Sequence, residues 1–173
     1  MDFKSKIILI SGPTASGKSS FAIELAQKIN GEIINADSMQ VYKQLKILSA
    51  RPDPKNYQKI NHHLYGFHDA KKSFSTGDWI KIVNKKIITV RKKNKIPILV
   101  GGTGLYFKAL TDGLVKIPNI PVKYRNQIRK LHQRLGQKEF YKKLLKLDSS
   151  SRGKINPTDS QRSIRAYEVK KFT

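Results

Sequence analysis

The residues best suited to chemistry run from Gly12 to Ser19, "GPTASGKS", which fits G-x-x-x-x-G-K-[ST]. Glycines at this spacing let the backbone curl so that successive N–H groups point inward at anionic oxygens. A helix that starts there aims the positive end of its dipole at the same spot. Lys18 adds a full charge, and the Ser19 hydroxyl can hold Mg²⁺. Gly12, Pro13, Thr14, Ala15, Ser16, Gly17, Lys18 and Ser19 therefore form a candidate cradle for a phosphate or diphosphate. Asp37 is a second candidate. It follows the apolar pair Ile33–Ile34, and a carboxylate just past a strand's C-terminal end lies where open α/β sheets bind ligands. An ordinary turn aspartate ahead of Ser38 is the competing reading. "GGTGLY" at 101–106 is a second glycine turn after an apolar run. His62 and His63 are adjacent, but beyond His68 no further ligands stand at metal spacing, so a polar or core role is expected for them.

These residues need strands and helices to hold them. "KIILI" at 6–10 suits a buried parallel strand. Phe21, Ala22, Leu25, Ala26 and Ile29 recur at helical spacing, with Gly31 at the expected stop. Ile33 and Ile34 mark a second strand ending near Asp37. Pro52, Pro54, Gly66 and Gly77 make residues 44–78 irregular. "STGD" at 75–78 caps a helix whose buried stripe is Ile80, Val83, Ile87 and Val90. The basic run "RKKNK" at 91–95 suits its C-terminal end, and "IPILV" at 96–100 is the next buried strand. Strand and helix alternate, so residues 1–115 are expected to form an α/β core with a parallel sheet.

From Lys116 the character changes. "KIPNIPVK" reads as a linker. Three helices should follow: one with Ile128, Leu131 and Leu135 on a single face, a second with Phe140 and Leu144 inward, and a third over "DSQRSIRAYEVKKF". Residues 116–173 carry 16 basic and 4 acidic side chains, a net +12, which is over half of the chain's +23 on a third of its length. That is the footprint of a surface for a polyanion, nucleic acid being the usual one. A genome-wide bias toward Lys, Ile and Asn codons competes with this reading. There are no cysteines, which excludes disulfides and thiolate metal sites. No 18-residue apolar run and no signal-peptide pattern occur, so a cytoplasmic protein without a membrane segment is expected.

Four motifs now stand in order: "GPTASGKS", "DSMQVY" at 37–42, "GGTGLY" and "DSQRSIRAYEV" at 159–169. Together they resemble the tRNA dimethylallyltransferase (tRNA isopentenyltransferase) family. The resemblance implies a P-loop NTPase-like parallel sheet flanked by helices, with a small basic helical insertion at 116–158 and a helix at 159–173 returning to the core. It implies transfer of a dimethylallyl group from dimethylallyl diphosphate, with Mg²⁺, to N6 of the adenine 3′ of the anticodon at tRNA position 37. By the same resemblance, residues 12–19 hold the donor, with Ser19 toward the metal. Asp37 accepts the N6 proton, and Thr103 positions the reacting groups. Asp37, Ser38, Met39, Gln40, Thr103, Arg125, Gln161, Arg162, Ser163, Ile164 and Arg165 contact the tRNA anticodon stem-loop. A monomer is expected. Two departures stand out. Where the family carries D-I-G-T-A-K-P, this chain reads "KILSARP" at 46–52, with Lys46 for Asp and Leu48 for Gly. Family members also continue well past "RAYEV", so a truncated chain is expected. A P-loop small-molecule or nucleotide kinase and a non-catalytic tRNA-binding fragment are the alternatives. The kinase reading leaves "GGTGLY" and the basic segment without a role.

Overall fold

A computed structural model describes residues 6–115, 117 and 119–173. They fall into two compact units, Met1–Leu114 and Val115–Thr173. The division lies beside the expected boundary at 115/116. Lys116 and Pro118 of the expected linker lie outside the described residues.

In the first unit, four parallel strands lie in the order β1-β4-β2-β3. They are β1 (Ile8–Ser11), β2 (Gly31–Asn35), β3 (His62–His63) and β4 (Ile96–Gly101). Helix α1 (Lys18–Ile29) joins β1 to β2, α2 (Thr76–Lys92) leads from β3 to β4, and α3 (Gly104–Thr111) follows β4. Successive strand residues point to opposite faces, and the two cores obey that alternation. Ile33, Ile98 and Val100 pack with Ala22, Ile23 and Ala26 of α1. Ile34 and Leu99 pack on the other face with Trp79, Val83, Ile87 and Val90 of α2 and Tyr106 of α3. Pro97 is tolerated in the middle of the sheet because β1 first pairs at Ile98. The Ile96 amide is bonded toward the β2 side, at Asn30, so the N–H that Pro97 lacks would face the side where no partner strand has yet begun.

Three expectations shift. Phe21 is 57% exposed, and Ile23 takes the buried place on α1. On α2 the stripe begins at the fully buried Trp79 rather than at Ile80. The left-handed turn after α1 is made by Asn30 (φ 53°), whose N–H returns to Ala26 O. Gly31 opens β2 instead, where a Cβ would crowd Ile98 Cδ1 at 2.6 Å and Ile96 O at 3.2 Å, so a side chain there would require Ile98 to repack. The α2 start is as expected, a capping box in which Ser75 and Asp78 bond each other's backbone.

β3 lies in the segment that the sequence leaves irregular, and a buried charge holds it. The Glu32 side chain is fully buried. It accepts hydrogen bonds from Asn61 Nδ2 (2.8 Å), pairs with His63 Nε2 (2.6 Å) and takes Lys95 Nζ at 3.1 Å. Burial pushes its carboxyl up, but the hydrogen bonds from Asn61, His63 and Lys95 outweigh it and leave the pKa at about 2, against 4.5 for an ordinary glutamate. A carboxylate depressed in the folded state stabilises above its unfolded pKa, and that stabilisation, about 3 kcal/mol, is lost as pH falls from 4.5 toward 2. His63, lowered by burial, resists protonation and adds to the loss below pH 6.5. Trp79 is the sole tryptophan and lies in this core, so its emission reports this unit alone. Wild type is expected to lose thermal stability progressively on acidification. Glu32→Gln should start about 3 kcal/mol lower at neutral pH and show a flatter acid limb. An unchanged acid limb in the variant would remove Glu32 as the cause.

The second unit is helical. α4 (Val122–Leu147) breaks at Gly136 (φ 72°, ψ 164°), which divides it into the two expected helices. α5 (Ser160–Phe172) starts at Asp159, whose carboxylate accepts from Arg162 N. Ile128, Phe140, Tyr141, Leu144 and Tyr167 form the core of this unit. α5 packs against α4.

Candidate active site

Three turns meet at the C-terminal ends of the strands. The first joins β1 to α1. Ala15 (φ 63°) and Gly17 (φ 79°) adopt left-handed backbone, so the chain doubles back and α1 begins with no side-chain cap. The open amides of that first turn are available to an anion. Thr14 to Ser20, with Gln40 and Ala50, line a pocket of about 250 Å³. Lys18 Nζ is folded onto Pro13 O at 2.7 Å, within the loop that it would serve.

The second turn follows β2. Asn35 is fully buried. Its side chain accepts from Asp37 N (3.0 Å) and donates to Asp37 O (3.0 Å) and Leu64 O (3.1 Å). Asp37 Oδ1 in turn accepts from Met39 N (2.8 Å) and Gln40 N (3.3 Å). One carboxylate oxygen is thus committed to the backbone, and Oδ2 lies on the Gly102 side. Gln40 Nε2 reaches Ser49 O at 3.0 Å, tying this turn to the atypical 46–52 segment. That segment has its own supports. Lys46 pairs with Asp53 (2.8 Å), and Arg51 Nη1 donates to Tyr42 O (3.1 Å).

The third turn follows β4. A Cβ at Gly101 would lie 2.2 Å from the Ala36 carbonyl, so only glycine lets the turns after β2 and β4 meet. One at Gly102 would stand 3.3 Å from Gly12 O and 3.7 Å from Asp37 Oδ2. The phosphate loop, Asp37 and the second glycine turn therefore share one corner. Thr103 Oγ1 accepts from Ser38 N (2.8 Å) and donates to Ser38 Oγ (3.2 Å), clamping residues 37–40 from across the sheet.

Sequence reasoning missed Asn35. Its only signal was a polar residue closing an apolar strand, and one of its three bonds goes to Leu64, 29 residues away. The remaining candidates lie in the second unit. Gln161, Arg162 and Arg165 are exposed on α5, Ile164 is half-buried, and Ser163 is fully buried, where its Oγ accepts from Gln137 Nε2 (3.2 Å). Arg125 lies in the first turn of α4. Its Nε stands 3.4 Å from Glu168 Oε2.

The Ser19 hydroxyl, a hard oxygen donor at the start of α1, suits Mg²⁺. That ion is usually held by one or two protein oxygens, waters and substrate phosphates rather than by an all-protein cage. Among the described residues no group of three or more His, Asp or Glu could enclose a metal. Among them, too, no helix is long and apolar enough to cross a membrane.

A sequence profile described as IPP transferase matches residues 40–173. The chain is 64% identical, over all of its 173 residues, to a Pelagibacter ubique protein named tRNA dimethylallyltransferase, of which it covers 55%. Over 166 residues it is 46% identical to a Rhizobium etli protein of the same name, covering 96% of this chain and 56% of that one. Among solved structures, the full-length tRNA isopentenylpyrophosphate transferase of Bacillus halodurans is 35% identical, with a TM-score of 0.63 over 97% of this chain and 56% of its own. A eukaryotic dimethylallyltransferase described as acting on tRNA is 30% identical, with a TM-score of 0.78 over 96% of this chain and 42% of its own. The chain spans about half the length of the curated relatives it matches.

Proposed function

The chain belongs to the IPP transferase family, and from that premise we propose that it carries the donor site and proton acceptor of a tRNA dimethylallyltransferase acting in the cytoplasm. The donor is dimethylallyl diphosphate. The acceptor is N6 of the adenine 3′ of the anticodon, tRNA position 37. The observation that carries this reading is the convergence of Gly12, Asp37 Oδ2 and Gly102 at one corner of the sheet.

The amides of residues 14–19 and the Lys18 ammonium bind the diphosphate and stabilise charge on it as it departs. Ser19 is the residue that would hold Mg²⁺, which would neutralise further charge on that leaving group. As the bond from the allylic carbon to the departing oxygen lengthens, that carbon gains cation character and draws in a weak nucleophile. The adenine leaves the anticodon-loop stack, as enzymes working on bases generally require. Its N6 lone pair, delocalised into the ring, forms the new C–N bond while Asp37 Oδ2 takes the proton. Asn35, Thr103 and the Met39 and Gln40 amides keep that carboxylate aimed. Met39, Gln40 and Ser38 line the approach of the RNA, and Gln161, Arg162, Arg165 and Arg125 contact it from the basic unit.

Two measurements test the reading. With labelled dimethylallyl diphosphate and an anticodon stem-loop, label should pass to the RNA. Transfer of phosphate from ATP to a small molecule instead would favour the kinase alternative. Binding of tRNA should weaken steeply with salt, since each neutralised phosphate contributes a slope of roughly −0.7 to −0.9 in log K against log salt. Arg162→Ala with Arg165→Ala should lower that slope by about two and leave donor binding intact. A flat salt dependence in wild type would remove the second unit as an RNA surface.

A further inference from the structure

Between α4 and α5 lies a cleft of about 550 Å³, bounded by Arg125, Arg129, His132, Gln133, Gln161 and Arg165. At its base is a carboxylate that the proposed chemistry does not use. The Glu168 side chain is 2% exposed, and it faces two guanidinium groups at once: Arg165 Nη1 at 3.2 Å and Arg125 Nε at 3.4 Å. The Arg125 Nε is buried and has no hydrogen-bond partner among the described residues, because its approach to Glu168 falls short of one in geometry. Both arginine side chains remain 40–46% exposed.

One buried carboxylate cannot neutralise two guanidinium ions, and Arg129 adds a third positive charge to the same cleft. Each arginine has five N–H donors in a fixed planar fork. Arg165 spends one donor on Glu168, and Arg125 meets it only by the approach of its Nε, so each guanidinium keeps further N–H donors for a second anion. Two preset forks over an excess of positive charge match the oxygens of a phosphodiester. We propose that Glu168 is a positioning residue which holds Arg125 and Arg165 as a paired clamp for a backbone phosphate of RNA. This rests on the functional reading above, since it takes the RNA to be the tRNA acceptor.

Electrostatics by itself predicts the opposite sign. If Glu168 were only a counter-charge, removing it would make the cleft more positive and tighten RNA binding. If it positions the clamp, removing its charge lets both forks wander and weakens binding. The experiment measures affinity of the full 173-residue chain for an anticodon stem-loop across a salt series, with helical melting followed by circular dichroism. Glu168→Gln is expected to weaken binding about tenfold and to lower the salt slope by about one. Glu168→Asp, which keeps the charge on a shorter arm, should recover part of the loss. Equal or tighter binding by Glu168→Gln with a steeper slope would overturn the proposal. If Glu168→Gln does not melt cooperatively, Arg165→Lys decides. It keeps the charge but gives up the fork, so severalfold weaker binding at an unchanged slope is expected, and unchanged affinity would overturn the clamp. Failure of wild type to bind the stem-loop would instead sink the functional reading. Wild-type binding with silent variants sinks the clamp alone.

Discussion

Asp37→Asn is expected to bind donor and tRNA nearly as wild type does and to lose about 10²–10⁴ in the rate of prenyl transfer. The substitution is close to isosteric. The asparagine carbonyl can still accept from Met39 N and Gln40 N, so the turn that Asp37 Oδ1 organises should persist. What changes is the other oxygen, on the Gly102 side, which becomes an amide nitrogen without the capacity to take a proton. An amine whose lone pair is shared with the purine ring becomes acidic only as the C–N bond forms, so the base matters in the transition state and little before it. The check is a single-turnover rate with labelled donor, beside separate binding measurements for donor and RNA. A rate within threefold of wild type would make Asp37 an RNA-contact or structural residue and require another base.

Lys18→Ala is expected to weaken dimethylallyl diphosphate binding in Mg²⁺ tenfold or more. Charged hydrogen bonds are worth roughly 1.5–3 kcal/mol each, and Lys18 supplies the only full charge within the loop at 12–19. Its present bond to Pro13 O (2.7 Å) is to a neutral carbonyl at an exposed site. Exchanging that partner for a diphosphate oxygen is favourable, and the alanine variant has nothing to exchange. The fold should tolerate the change, because the ammonium contributes nothing to the α1 core of Ala22, Ile23 and Ala26. Calorimetric titration of the donor checks the expectation, and the donor-induced rise in the melting temperature read from Trp79 should shrink in parallel. Normal donor affinity would show that the diphosphate is held elsewhere. Binding of tRNA should be unaffected, which separates this variant from those of the basic unit.

Much of the first unit was legible because its signals are local. The spacing from Gly12 to Ser19, the buried runs at 33–34 and 96–100, and the Ser75–Asp78 capping pair each depend on residues within one turn or one strand. The fold class, a parallel sheet flanked by helices, followed from their alternation. β3 was not legible. It is two residues long and has no periodicity of its own, and its pairing with β2 is secured by the bond of His63 to a glutamate 31 positions earlier. The place of Gly31 in β2 is not legible for the same reason, since the atom that a side chain there would crowd belongs to Ile98.

By itself the sequence determined which groups are present: a phosphate loop, one well-placed carboxylate, a second glycine turn, and a basic segment with a net +12 over residues 116–173. It also determined their order, which is enough to specify the family. Only the tertiary structure decided which oxygen of Asp37 stays available, that Asn35 and Thr103 aim it, that Ser163 faces inward, and that Glu168 lies under two arginines. The physical reason is range. Backbone curvature, capping and period are set by neighbours within a few residues, and so can be read along the chain. Hydrogen-bond direction and burial are set by groups that meet only after β2 and β4, or α4 and α5, have packed. Thr103 reaches Ser38 across 65 residues at 2.8 Å, and no local pattern encodes that distance.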